Sequence, residues 1–153
     1  KLDRAVEAAE TAVRMLPDAA TARSLARLCA RRGDSIEEVQ RRIDEAQRIS
    51  GTVQEDRALT LALSRSLSRG NATHLGEALV TLKRLWDTRD IAARPDEAAE
   101  IGTLYALALC RRSDSNDRTL ATSVITETRT LAKDPTQRNL LTALLGLSRF
   151  LGN

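Results

Sequence analysis

The chain has 153 residues, 42% apolar and 29% charged, with a net charge of +3 and basic and acidic side chains interleaved almost everywhere. That balance is ordinary for a soluble fold and lacks the one-sided basic surface of a nucleic-acid binder. Aromatics are 2% of the residues, Trp86, Tyr105 and Phe150, so any core is built from Leu, Ile, Val and Ala, which favours interdigitated helices over a β-sandwich. Two cysteines are too few for a disulfide scaffold, and no apolar run reaches the length that spans a bilayer.

Hydrophobic period and caps predict about eight helices in chain order. The first covers roughly 2–16, with Leu2, Ala5, Val6, Ala9, Ala12, Val13 and Leu16 on one stripe and Pro17 as its stop. The second covers 19–32, turning Ala22, Leu25, Ala26 and Cys29 inward and ending at Gly33. Asp34 or Ser35 caps a third at 36–50, seamed by Ile36, Val39, Ile43 and Ala46 and closed by Gly51. The fourth, 52–69, is apolar nearly all round and reads as a helix covered on more than one side. Asn71 or Thr73 caps the fifth at 73–89, where Leu75, Ala78, Leu79, Leu82, Leu85 and Trp86 form a wide stripe. Pro95 suits the first turn of the sixth, 96–112, which turns Ala98, Ile101, Tyr105 and Ala108 inward. The seventh, 117–133, points Leu120, Val124 and Leu131 inward, and Pro135 opens a Leu-rich eighth that runs to Gly152-Asn153.

Four helix ends share a phrase: CARRGD at 29–34, LSRGN at 67–71, CRRSD at 110–114 and FLGN at 150–153. Each sets Gly or Ser before Asp or Asn, and they recur after 37, 43 and 39 residues. A helical period near forty is the signature of an α-solenoid. Arg32-Gly33-Asp34, followed by Ser35, also spells an adhesion tripeptide, but its echo CRRSDS keeps the caps and loses that motif, so it reads as punctuation between helices.

The stretch LDRAVEAAETAVRMLPD at 2–18 resembles the second helix of a tetratricopeptide repeat, with Ala5, Ala9, Ala12 and Pro17 in that family's packing positions. Val39, Ile43 and Ala46 repeat the spacing, and Ala78, Leu82 and Leu85 do so more loosely. Ile101, Gly102 and Tyr105 are similar to the family's first-helix signature, and Leu25, Ala26 and Cys29 match it without the aromatic. The resemblance implies an all-α solenoid of antiparallel hairpins over 1–153, a single repeat domain cut from a longer protein. Its units fall near 18–50, 52–89, 95–133 and, in part, 135–153. A HEAT-like array and an irregular bundle stay open as alternatives.

Candidate chemistry is sparse. His74 is the lone histidine and lies at a helix start with no nucleophile in evidence, so it reads as a capping-turn residue. Asn71-Ala72-Thr73 matches a glycosylation acceptor and reads as a cap. No metal-ligand spacing, phosphate loop or paired-carboxylate motif is present, and the expectation is a non-enzyme with no cofactor and no metal.

Two surface features remain. Arg23, Arg27 and Arg31 recur every fourth residue on a first helix, with no Asp or Glu between Asp18 and Asp34. In tetratricopeptide proteins the first helices line the concave groove, so the resemblance makes this row a candidate ridge for an acidic peptide. Leu140, Leu144, Leu147 and Leu151 mark the second, a face for self-association or for a further helix. The expected function is a protein- or peptide-binding scaffold in the cytoplasm, with no nucleic-acid partner and no membrane insertion. The alternative is a structural domain that mediates self-assembly of a larger protein.

Overall fold

A computed structural model describes residues 1–152, and the chain is all-helical there, with no strand among the described residues. Eight α-helices follow one another: α1 Leu2–Met15, α2 Ala19–Arg32, α3 Ile36–Ser50, α4 Arg57–Leu67, α5 Ala72–Asp87, α6 Pro95–Arg112, α7 Arg118–Leu131 and α8 Pro135–Ser148. A short 3-10 turn at Ser115–Asp117 leads into α7. The chain divides into two compact units, Lys1–His74 and the residues from Leu75 onward. The division falls at the start of α5, inside the hairpin expected at 52–89.

The expected punctuation is largely what ends these helices. Asp18 accepts a hydrogen bond from the Thr21 amide (2.9 Å), and Ser35 accepts one from the Glu38 amide (3.2 Å), each satisfying an orphan donor of a first turn. Gly33 ends α2 in the left-handed region at φ 92°. The amides of Gly33 and Asp34 both donate to the Cys29 carbonyl. At the echo, Ser113 takes the same cap conformation at φ 57°, where a side chain is a liability. Pro95 and Pro135 occupy first helical turns, as their missing amides allow. Asn71 and His74 close a reciprocal cap: the His74 amide donates to Asn71 Oδ1 (2.9 Å) and the Asn71 amide donates to His74 Nδ1 (3.4 Å).

In the first unit, α2 packs against α1, α3 and α4, and α3 also meets α4. Val6 and Val13 of α1, Leu25, Ala26 and Cys29 of α2, Val39, Ile43 and Ala46 of α3, and Leu59 and Ala62 of α4 form one apolar core. Small side chains at these contacts allow the helices to approach closely. Arg42 clasps the outside of this unit. It pairs with Glu38 and Glu45 on its own helix and with Glu10 on α1, while its side chain is mostly withdrawn from solvent.

In the second unit, α6, α7 and α8 pack against one another. Helix α6 is the central element, since every residue from Ala98 to Leu109 except Glu100 and Leu107 is buried. Gly102 is the point of closest approach: a Cβ there would lie 2.0 Å from Thr128 Oγ1 on α7 and 2.8 Å from the Trp86 ring on α5. Gln137 of α8 donates to the Thr103 hydroxyl (2.8 Å) and the Ala99 carbonyl (3.2 Å) of α6, so the polar atoms at this contact are satisfied.

Four expectations are corrected. Helix α4 starts at Arg57 rather than 52, because Asp56 takes the cap, accepting from the Ala58 and Leu59 amides, and leaves 51–55 as exposed loop. Helix α8 stops at Ser148, and Arg149 to Gly152 form turns. Leu16 and Ala12 of the first stripe face solvent, Leu16 at 74% exposure. Leu120 points outward as well, whereas Val124 is buried as expected, Leu131 is half-buried, and α7 also buries Ala121, Ile125 and Thr128. The last residue of the fourth echo, Asn153, lies outside the described residues.

Candidate functional site

The Arg23–Arg27–Arg31 row begins on the border of the buried face of α2 and climbs away from it. Arg23 is half-buried, and its Nε donates to Asp56 Oδ2 at 2.5 Å. Asp56 is the carboxylate that caps α4. The neutralising acid missing from residues 19–33 therefore comes from a loop 33 residues away. The crevice beside this pair, bordered by Ala19, Gln47, Ser50 and Thr52, holds about 10 Å³, the space of one water at most. It is a tie between α2 and α4 and no small-molecule pocket. Arg27 is half-buried and Arg31 exposed, and both also engage neighbouring groups.

The adhesion tripeptide is closed on itself. Arg32 Nε and Nη2 donate to Asp34 Oδ1 and Oδ2 at 2.6 and 2.7 Å, a two-pronged pair across Gly33. That hydrogen bonding, ahead of the opposing cost of burial, holds the Asp34 carboxyl below the usual carboxylate range. The Cys29 thiol lies beneath the same turn. Burial first, and Asp34 beside it second, push its pKa up to about 11. In the echo, Arg112 grips Asp117 with the same two prongs at 2.8 and 2.6 Å, although Asp117 stands further along the chain than Asp34 does. Burial likewise raises the Cys110 thiol. Both cysteines are free. Among the described residues no three metal-ligating side chains come together, and no helix is long and apolar enough to cross a membrane.

The leucines of α8 divide. Leu144 and Leu151 are 4% and 3% exposed and belong to the core of their own unit. Leu140 and Leu147 face solvent at 39% and 56%, joined by Phe150 at 66%. The open face of α8 is thus Leu140–Ala143–Leu147, and Phe150 stands exposed in the turns that follow the helix.

A third feature escaped the reading of the sequence. Thr119, Thr122, Ser123, Thr126 and Thr130 cover the outer face of α7 and line a shallow depression of about 770 Å³ together with Arg118 and Glu127. Apart from the adjacent Thr122 and Ser123, their spacing of three and four residues was the available signal, but hydroxyls do not stand out in a search for apolar stripes or charges. Several are spent locally: Thr126 donates to the Thr122 carbonyl and Thr130 to that of Glu127. Beside them Glu127 holds Arg89, whose guanidinium lies 3.8 Å from the centre of the Trp86 ring.

Comparison with protein families, with curated proteins and with solved structures finds no match to this chain.

Proposed function

We propose that the chain is a protein- or peptide-binding module, a tetratricopeptide-like stack of helical hairpins that presents a row of helix faces to its ligand. The observation that carries this reading is the contact pattern inside each unit, where a helix touches both its successor and the helix after that: α2 meets α3 and α4, and α6 meets α7 and α8. Repeat arrays pack in this way because one hairpin cannot bury its apolar face alone. The positions that carry the resemblance support it. Leu25, Ala26, Cys29, Val39, Ile43, Ala46, Ala78, Leu82, Leu85, Ile101, Gly102 and Tyr105 are all buried. Ala5 and Ala9 are half-buried, and Ala12 is exposed.

On this reading the ligand is an acidic peptide segment and the α2 row is its contact, since a guanidinium can meet a carboxylate with two parallel hydrogen bonds. Arg23, tethered by Asp56, fixes one end of the row. The test uses the purified chain to capture and identify a partner by cross-linking, followed by Arg27→Gln/Arg31→Gln. Arg23 is left in place because its loss would also untie α4. The expected result is at least a tenfold loss of affinity, about 1.4 kcal/mol. Arg41→Gln/Arg48→Gln, on exposed positions of α3, should leave binding unchanged. Unaltered binding by the α2 variant would remove the row from the function.

A further inference from the structure

We draw no further inference here: the strongest candidate, the exposed apolar face of α8 formed by Leu140, Ala143 and Leu147, carries nothing, because nothing in the structure shows what covers it.

Discussion

Arg32 and Asp34 face each other across Gly33 with both carboxylate oxygens engaged by one guanidinium, at 2.6 and 2.7 Å. The pair welds the α2–α3 turn and consumes the two groups an adhesion receptor would need to reach separately. Asp34→Asn removes the charge from this contact and should lower stability by about 1–3 kcal/mol. Urea unfolding followed by circular dichroism measures the change, and an unaltered midpoint would make the pair a surface ornament.

The same pairing sets a pH dependence. Hydrogen bonding by Arg32 depresses the folded-state pKa of Asp34, and hydrogen bonding by Arg41 does so for Glu38. A depressed carboxyl contributes stability that is fully present above its unfolded-state pKa and is lost as pH falls through the lower folded value. The urea midpoint should therefore be flat from pH 7 to about 5 and decline below about 4, the ordinary carboxylate range. In Asp34→Asn the decline should be shallower. A midpoint that rises on acidification would contradict the sign.

The two thiols should differ in the folded protein. Cys29 is fully buried with its pKa pushed up to about 11, whereas Cys110 is partly accessible. Reaction requires the thiolate, so an aromatic disulfide reagent at pH 8 should titrate Cys110 first and Cys29 only on the timescale of opening. In denaturant without reductant both should react. A folded protein whose two cysteines label at one rate would place Cys29 at the surface.

Gly102 should resist even one added carbon. Its Cβ would collide with Thr128 Oγ1 and approach the Trp86 ring, and overpacking of this kind costs about 1–3 kcal/mol. Thr128→Ala removes the nearest atom, so the double variant Gly102→Ala/Thr128→Ala should be more stable than the two single losses added together. Strict additivity in denaturant titrations would show that the contact is not shared.

The repeated turn offers a reciprocal exchange. Gly33 and Ser113 hold equivalent left-handed caps at φ 92° and φ 57°. That conformation costs a side-chain-bearing residue about 1–2 kcal/mol. Ser113→Gly should raise the thermal midpoint and Gly33→Ser should lower it, the latter also pressing on Arg69 Nη1, 3.2 Å from the added carbon. Shifts of the same sign would argue that the turns are not equivalent.

The sequence by itself determined what depends on residues within one turn of each other. Asp18, Ser35 and Asn71 cap helices because a short polar side chain meets an amide two or three residues on. Gly33 and Gly51 end them because only glycine takes positive φ without cost. Pro95 and Pro135 open them because they have no amide to lose. The number of helices, their approximate limits and the turn character of the adhesion motif follow from those local rules. Tertiary structure decided which apolar residues were used. On α8 leucines lie around much of the girth, so periodicity offers several equivalent seams. The positions of α6 and α7 select Leu141, Leu144 and Leu151 for the core and leave Leu140, Leu147 and Phe150 outside. Leu16 and Leu120 point outward for the same reason: their helices had more apolar positions than neighbours to cover them. The partner of Arg23 was equally out of reach, because Asp56 comes close only once α4 has packed on α2. A single helix carries no information about which side its neighbour will take, and that choice separates core from surface and a paired arginine from a binding one.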